Sequence, residues 1–513
     1  MKNKNHLHGT IAKVYVATLL LALIAAPGWA QGTDASSPPA TLDVSIHELQ
    51  EQVRELRAAV AEMRAEAAQY RSETAELRQE LRATRDQLAT SAPALTPQTA
   101  TPQDGLENRV TALEESSQLM AGKVDDQYQT KIDSGSKYRV RLSGMVLLNL
   151  FDNRGVFDNA DFPSYVPQRT PIDSGSSFGA TVRQSELGLE VFGPRLAGAR
   201  TSGNLQVDFA GGFPATLNGA NFGLLRLRIA SMRMDWQNTS LVVGQDNLFI
   251  SPESPTSYAS LAIPALSYQG NLWAWTPQVR IEHRFRLSEE QSVLLEGGIL
   301  DNFTGEPPFV SDRRPQAGEA SGQPAYGARL AWTRKLFGQP LTVGTAGYYS
   351  RQNWGFNRNI DGWAGMMDWD IPLAQHLSLS GELYRGRAIG GLGGGVGRSA
   401  LYSGSIFDPA TRVIGLDSIG GWSQLKFKAT SKLEFNGAFG LDNPYAADVR
   451  TFPVAVSYFD PTLVQNRSAF VNFVYHPRSN LLFSSEYRWL RTNMIDNSNQ
   501  SAGQVNLMMG VLF

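Results

Sequence analysis

Apolar and polar residues alternate with a period of two through most of the chain after residue 138. In one such stretch, Leu433, Phe435 and Phe439 alternate with Glu434 and Asn436. Successive side chains of a β-strand point to opposite faces, so this pattern predicts strands with one apolar and one polar face. The stretches are about 10 to 14 residues long, whereas strands of a soluble β-sandwich usually have about 5 to 6 residues. The alternation therefore favours a membrane-spanning barrel over a sandwich.

The connections between the predicted strands alternate between short turns and long loops. Seven short turns lie near residues 193–198, 237–239, 288–291, 337–340, 372–376, 429–432 and 477–480. Eight long loops lie near residues 152–176, 211–221, 250–274, 301–323, 352–360, 387–411, 442–464 and 492–502. Short turns at one end and long loops at the other are typical of outer-membrane barrels. The sequence therefore predicts an all-β transmembrane barrel of 16 antiparallel strands over residues 138–513.

One strand breaks the alternation. Arg226 and Arg228 share parity with Met232 and Met234, so the apolar face changes phase near Ala230. A β-bulge, which adds one residue to a strand, would produce such a change. A register different from the predicted one would have the same effect.

A different pattern, with apolar residues spaced by three and four, occupies residues 41–91. Its two series are Leu42, Leu49, Leu56, Met63, Tyr70, Leu77, Thr84 and Ile46, Val53, Val60, Ala67, Thr74, Leu81, Leu88. About seven heptads predict an α-helical coiled coil that associates with a partner or folds back on itself; a single solvated helix is the alternative. Residues 92–105 hold four Pro or Gly residues and predict a linker, and residues 106–134 predict a short second helix.

Residues 1–30 have the layout of a secretory signal peptide. Lys2, Lys4 and Lys13 form a basic region, an apolar run follows at residues 14–26, and small residues precede a cleavage point after Ala30. An uncleaved membrane anchor is the alternative, but 13 apolar residues are short for a membrane-spanning helix. No later run reaches 18 apolar residues, so we expect no helical membrane span in the exported chain.

Composition narrows the chemistry further. The chain has no Cys, which excludes disulfides, thiolate zinc sites and thiol nucleophiles. A formal net charge of −2 argues against a nucleic-acid partner. Residues 134–513 carry 33 Lys and Arg against 30 Asp and Glu, which gives the barrel region a formal charge of +3. The helical segments before it are acidic.

The polar parity of the strands should line a water-filled lumen, because sixteen strands are enough to enclose a channel. The predicted inward basic residues are Arg139, Arg141, Arg226, Arg228, Arg280, Arg284, Arg286 and Arg329, and the facing acids include Glu186, Asp208, Glu282 and Glu296. Rows of Arg in a narrow lumen lower the electrostatic barrier for anions and can bind carboxylates through paired hydrogen bonds. The alternative is that these Arg residues pair with the inward acids as structural networks.

The third long loop, residues 250–274, has an unusual composition for an exposed segment. It carries a single charge, Glu253, and several apolar or aromatic residues that include Tyr258 and Tyr268. Folding into the barrel would bury these residues and narrow the pore. Packing against a neighbouring protomer is the alternative.

Several stretches resemble the DcaP-like trimeric outer-membrane porins and, more distantly, the phosphate-selective porins O and P. The stretches are RQSELGLEVFG at 183–193, GNLQVDF at 203–209, LRLRIASMRM at 225–234, VVGQDNLF at 242–249 and PQVRI at 277–281. The order of signal peptide, coiled coil, linker and barrel is also similar. The resemblance implies a homotrimer of 16-stranded barrels, a periplasmic coiled coil and uptake of small organic anions such as dicarboxylates.

The sequence thus favours a porin in the outer membrane of a Gram-negative-type bacterium, with its coiled coil in the periplasm. Small hydrophilic solutes, mainly organic acids, would diffuse through an arginine-lined lumen. The alternative is a structural anchor whose coiled coil binds peptidoglycan or other envelope partners. An enzyme is not expected, because the six His residues offer no Ser-His-acid arrangement, and neither a cofactor nor a metal site is expected.

Overall fold

The computed structural model describes residues 131–132, 139–213, 223–306, 313–455 and 459–513. The predicted signal peptide, coiled coil and linker lie outside these residues, as does almost all of the predicted second helix. Lys131–Ile132, at the end of that predicted helix, instead form a short strand, β1, which pairs with the first barrel strand. The helix prediction was therefore wrong at these two residues, where the free backbone groups of a neighbouring strand favour extended pairing.

Twenty further strands follow β1 in the described residues. The first ten are β2 (Arg139–Arg154), β3 (Ser176–Thr181), β4 (Glu186–Leu196), β5 (Ala199–Asp208), β6 (Arg226–Asp235), β7 (Thr239–Asn247), β8 (Trp275–Arg286), β9 (Gln291–Leu300), β10 (Ala325–Leu336) and β11 (Gln339–Asn353). The others are β12 (Asn359–Ala374), β13 (Leu377–Arg387), β14 (Ala400–Tyr402), β15 (Val413–Gly415), β16 (Asp417–Lys428), β17 (Leu433–Pro444), β18 (Val454–Ala455), β19 (Leu463–Arg478), β20 (Leu481–Met494) and β21 (Asn499–Leu512).

These strands form a closed antiparallel barrel with sixteen strand positions, as the sequence predicts. β3 and β4 both pair with β2 and share one position, interrupted at residues 182–185. β2 also pairs with β21, so the last strand returns to the first and closes the sheet. β14, β15 and β18 lie apart, in a small sheet formed by the long connections.

Alternation along the strands separates a polar inside from an apolar outside. In β17, Asn436 and Ala438 point inward and are buried, whereas Phe435 and Phe439 are nearly half exposed on the outside. Other outward residues that are more than a third exposed include Leu227, Met232, Ile281, Leu295, Leu330, Met367, Leu383, Ile419, Val471, Leu507 and Met509. A soluble protein rarely exposes so extensive an apolar surface, which instead suits contact with hydrocarbon.

The connections confirm most of the predicted alternation. Seven turns of two to four residues join the strands at one end of the barrel, which we call the short-turn end. At the other end, the long-loop end, six connections are long: residues 155–175, 209–225, 248–274, 301–324, 388–416 and 445–462. Two connections predicted to be long, at 354–358 and 495–498, are short turns, because the strands on either side continue further than predicted.

The predicted β-bulge is confirmed, about two residues before the predicted point. The register between β5 and β6 shifts between Gln206 and Val207, which leaves Arg228 without a partner across the strands. Inward side chains of β6 have even numbers before the bulge and odd numbers after it. Arg226 and Arg233 can therefore both face the lumen, although their numbers differ in parity.

Short helical turns occur in the long connections. They are two 3₁₀ turns, Glu319–Ser321 and Gly390–Leu392, a turn with left-handed backbone angles at Gly394–Gly397, and one α-helical turn, α1 (Ala446–Thr451). No helix in the described part of the chain combines the length and the apolar character that crossing a membrane requires.

Candidate functional site

The connection after β7, residues 248–274, lies inside the barrel, and we call it the inner loop. The backbone N–H of Glu253 donates to Glu382 on β13 at 2.9 Å. The backbone N–H of Thr256 donates to Gln424 on β16 at 2.7 Å. Both acceptors occupy inward positions of their strands, so the inner loop crosses the lumen instead of extending beyond the barrel.

A buried charged group attaches the inner loop to β20. Ser257 donates to Glu486 at 2.5 Å, and Arg488 donates to both Glu486 (2.7 Å) and Ser257 (3.3 Å). The side chains of Glu486 and Arg488 are almost completely buried. A buried ion pair is tolerated only where its remaining hydrogen-bonding groups are satisfied, and the inner loop supplies one of these partners.

Several apolar clusters hold the inner loop against the barrel wall. In the first, Tyr258, Ala259 and Leu261 pack against Met145, Leu147, Val474, Leu482, Met508 and Leu512. In the second, Ala265 and Leu266 pack against Trp422, Ala438 and Phe470. In the third, Leu248, Phe249, Ile250 and Leu272 pack with Leu300, Ala325, Ala346, Tyr348, Ala364, Met366 and Tyr384. Burial of one Leu side chain contributes about 1.5–3 kcal/mol to stability. These clusters therefore supply much of the free energy that holds the inner loop in place.

Glycines let the backbone of the inner loop lie directly on the wall. Gly270 has a φ of +103°, and a Cβ atom there would collide with backbone atoms of Gly421 and Leu441. A Cβ atom on Gly440 would collide with the carbonyl oxygen of Gln269. At Gly270 both the left-handed backbone and the close approach require glycine.

The inner loop divides the inside of the barrel into two walls. The covered wall consists of β9 to β13, β16, β17, β19, β20, β21 and β2, whose inward side chains pack with the inner loop. The open wall consists of β4, β5, β6, β7 and β8. Several of its charged side chains remain partly exposed, 25% for Arg226 and 38% for Arg233, whereas Asp208 is fully buried. The inner loop reaches this wall where Arg226 donates to the carbonyl oxygen of Ala262.

Arg226 and Arg228 of the open wall pair with acids on β5 and β4, respectively. Arg226 binds Asp208 in a bidentate manner, with distances of 3.0 Å from Nε and 2.6 Å from Nη2. Arg228 forms an ion pair with Glu186. The guanidinium carbons of the two Arg residues lie 4.9 and 4.6 Å from the Trp275 ring, within range of cation–π attraction. Charge pairing and stacking together fix both Arg side chains.

A second network runs across β6, β7 and β8. Glu282 accepts hydrogen bonds from Arg233 at 2.7 Å and from Arg280 at 2.9 Å. Arg280 also donates to Asp246 at 3.0 Å, and Arg233 donates to Asp235 at 2.7 Å. Each guanidinium therefore has a carboxylate beside it. The middle of the open wall is close to electrically neutral.

Arg329 belongs to a buried triad instead of an exposed surface. It donates to Glu296 at 2.8 Å and to Asp368 at 2.7 Å, and all three side chains are less than a tenth exposed. Its position is inward, as predicted, but both of its anion-binding edges are occupied. We therefore place its role in holding β9, β10 and β12 together.

Four predicted Arg residues lie near the short-turn end, where they are exposed to water. Arg141 is 54% exposed and pairs loosely with Glu190 at 3.3 Å. Arg139, Arg284 and Arg286 are also exposed. Within the described ranges, none of these three has a carboxylate within 4 Å, so this end of the lumen has basic groups that are not neutralised by contact.

The predicted constriction residues mark different depths of the inner loop. Tyr258 lies toward the short-turn end, with its ring 6.4 Å from that of His476. Tyr268 lies toward the long-loop end, with its ring 4.6 Å from that of Phe459. Glu253 lies on the segment that runs from the long-loop end toward the depth of Tyr258. The inner loop thus runs down into the lumen and returns.

Sequence reasoning missed three charged residues of these networks: Arg233, Asp246 and Asp368. Arg233 is not among the residues that the sequence predicts for the lumen, because the bulge changes which residue numbers of β6 point inward. Asp368 stands between the apolar residues Met367 and Trp369, so alternation alone could have placed it inward. Asp246 stands between the polar residues Gln245 and Asn247, and its inward position follows from its register opposite the buried Thr276 of β8.

The outer loop at residues 155–175 supports the far end of the inner loop. Asp158 accepts hydrogen bonds from the backbone N–H groups of Ser164 (2.8 Å) and Tyr165 (3.0 Å). Burial raises the pKa of the Asp158 carboxyl to about 6, outweighing the lowering effect of these hydrogen bonds. The carbonyl oxygen of Ser164 in turn accepts a hydrogen bond from Gln269 of the inner loop.

The acids of the lumen form ion pairs with guanidinium groups and do not cluster as the ligands of a metal ion would. Glu186, Asp208, Glu282 and Glu296 each have an Arg partner. In the part of the chain that the structure describes, no group of three or more His, Asp or Glu side chains could hold a metal ion.

Comparison with solved structures identifies barrels of the same kind. The outer membrane channel DcaP of Acinetobacter baumannii is 16% identical, with a TM-score of 0.55 over 74% of this chain and 99% of that chain. An anion-selective porin from Comamonas acidovorans is 11% identical, with a TM-score of 0.46 over 74% of this chain and all of that chain. No protein-family model and no curated protein matches the sequence. The likeness to DcaP shows a shared fold, which is the fold that the sequence resemblance implied.

Proposed function

We propose that this protein is an outer-membrane channel through which small hydrophilic solutes diffuse. The observation that carries the proposal is the open wall, where charged side chains inside a closed barrel remain accessible to water. A barrel that served only as an anchor would have no need of a wet, charged face beside a loop that narrows the lumen. The apolar outside and the fold shared with DcaP support the membrane location.

We further propose that anions pass more readily than cations. The neutral pairs in the middle of the open wall give little selectivity, because each positive charge there has a carboxylate beside it. Arg139, Arg284 and Arg286 at the short-turn end supply positive charge without such partners. Arg side chains suit organic acids, since a guanidinium can bind a carboxylate through two parallel hydrogen bonds. Dicarboxylates are therefore the proposed solute class.

The test is the zero-current potential of the purified protein in planar bilayers under a salt gradient. Replacement of Arg226, Arg228, Arg280 and Arg284 by Ala removes four positive charges and leaves several carboxylates unpaired. A unit charge about 10 Å away in water changes an anion's energy by about 0.4 kcal/mol, or roughly twofold. We expect the anion-to-cation permeability ratio to fall on the order of tenfold at low salt.

A matched control removes whole ion pairs. Arg226→Ala with Asp208→Ala, and Arg228→Ala with Glu186→Ala, keep the net charge of the lumen, so the permeability ratio should stay near that of the unaltered protein. An unchanged potential in the quadruple Arg variant would contradict anion preference. Absence of any ion-conducting opening would contradict the channel itself and favour the anchor.

Assembly as a homotrimer with a periplasmic coiled coil remains a proposal. It rests on the heptads of residues 41–91 and on the resemblance to the DcaP-like porins. Light scattering of the detergent-solubilised protein should give the mass of three chains. The same measurement on a chain lacking residues 41–91 tells whether the heptads contribute to association.

A further inference from the structure

Two Arg residues interrupt the apolar outside of the barrel near the long-loop end. Arg467 on β19 and Arg491 on β20 lie directly opposite each other in the register of these strands. Both have the outward parity of Val471 and Tyr487, which are 60% and 51% exposed. The two guanidinium groups therefore lie on the surface that faces lipid, and not in the lumen.

Two other outward Arg residues at the same end have acidic partners. Arg154 pairs with Asp152 at 3.2 Å, and Arg351 pairs with Asp361 at 3.4 Å. Among the residues that the structure describes, no carboxylate lies within 4 Å of Arg467, Arg491 or the outward Arg387. Arg467 and Arg491 differ from Arg387 because two such guanidinium groups lie directly opposite each other.

The pair also leaves hydrogen-bonding capacity unused. The Nε atoms of Arg467 and Arg491 are both buried, and neither has a hydrogen-bond partner. Buried polar groups without partners are costly, and like charges directly opposite each other on neighbouring strands are destabilising. An anion bound between the two guanidinium groups would remove both penalties.

The surroundings suit the polar head of a lipid. Gln465 and Asn493, one step nearer the long-loop end, are hydrogen-bonded to each other at 3.1 Å and offer further amide groups. On the other side lie Trp489, whose ring is 5.9 Å from the Arg467 guanidinium carbon, and the apolar Val471. Polar groups therefore lie on the long-loop side of the pair and apolar groups on the short-turn side. A lipid bound there would have its headgroup and its acyl chains in the same order.

We propose that Arg467 and Arg491 form a binding site for a phosphate group of an outer-leaflet lipid. Two guanidinium forks can donate several parallel hydrogen bonds to one phosphate, which a single Lys could not do. A lipid is favoured over free phosphate because the site lies beside an apolar surface. The site goes beyond solute passage, and its loss would leave the lumen networks intact.

The test measures lipid bound to the purified full-length protein by native mass spectrometry, with bisphosphorylated lipid A added in mixed micelles. Arg467→Gln with Arg491→Gln should reduce bound lipid at least about tenfold, because both charged hydrogen-bonding contacts with the phosphate are lost. Arg154→Gln with Arg351→Gln is the matched control, because these outward Arg residues already have acidic partners. That control should retain the lipid of the unaltered protein.

Three results would overturn the proposal: equal retention in both double variants, equal binding of the lipid after removal of its phosphates, or release of the lipid by inorganic phosphate at low millimolar concentration. Loss of oligomer mass in the Gln variant with unchanged lipid would assign the pair to a neighbouring chain instead. Arg467→Lys with Arg491→Lys keeps the charge if the Gln variant fails to insert, and it should show intermediate retention. Unchanged single-channel conductance in these variants separates the lipid site from the proposed channel.

Discussion

The covered wall and the open wall have the same strand geometry but differ in their inward side chains. On the covered wall, many inward positions hold apolar residues such as Leu147 and Phe470, or uncharged polar residues such as Asn472, which contact the inner loop. On the open wall, several inward positions hold charged residues such as Arg233 and Glu282. Inward parity therefore does not by itself determine residue type, because an inward position can face either the inner loop or the lumen.

Two ion pairs inside the barrel differ in how far they are exposed to water. Glu486 and Arg488 are fully buried and share Ser257 of the inner loop. Arg141 on β2 and Glu190 on β4, by contrast, form a pair in contact with water where the covered wall meets the open wall. The first arrangement contributes to holding the inner loop, whereas the second contributes mainly to the potential in the lumen.

The largest expected effect is on the buried pair. Arg488→Met leaves Glu486 as a buried charge without its partner, which should lower the free energy of unfolding by about 3–5 kcal/mol. Thermal unfolding in detergent, followed by the loss of β-sheet circular dichroism, measures this change. Arg154→Met, at an exposed outward pair, is the control and should change the midpoint little. Similar midpoints for the two variants would contradict the contrast between the walls.

A smaller effect is expected where the inner loop touches the covered wall. Gly270→Ala places a Cβ against the backbone of Gly421, which costs about 1–3 kcal/mol and should displace the inner loop. Single-channel conductance should then rise, because the inner loop no longer narrows the lumen. Gly437→Ala, which meets only ordinary contact with Val471, is the matched control. Unchanged conductance in the Gly270 variant would show that the inner loop does not limit the current.

The smallest effect is expected at the exposed pair. Arg141→Ala should alter stability by at most about 1 kcal/mol, since exposed ion pairs contribute little. It should nevertheless lower the anion-to-cation permeability ratio by roughly twofold at low salt. Glu190→Ala is the opposite change and should raise that ratio. Equal shifts of the same sign in both variants would contradict an electrostatic origin.

Much of the fold could be predicted from the sequence, because alternation and connection length report strand number directly. The bulge in β6 was also predictable, since Arg226 and Met234 share parity on a strand with one apolar face. The strand ends around residues 354–358 and 495–498 were not, because polar residues near the barrel rim can belong to either a strand or a turn.

The candidate site was less predictable than the fold. Inward parity correctly placed Arg226 and Arg280, but it could not tell that each has an acidic partner on a neighbouring strand. Partner choice depends on the stagger between strands, and a one-residue shift would change every contact. The burial of Arg329 depends in addition on how chain segments fold over β10, which strand patterns do not reveal.

The bulge at Arg228 also limits which changes of chain length this region can accept. Leu227 and Ile229 already pair with the consecutive residues Val207 and Gln206, so deleting Arg228 would restore strict alternation in β6 and leave the other side chains on their present faces. Inserting a residue elsewhere in β6 without a second bulge would instead turn one half of the strand over, so that Arg233 would point into hydrocarbon and Met232 into water. Loss of the bulge residue should therefore be accepted more readily in divergent relatives than a single-residue insertion elsewhere in the strand.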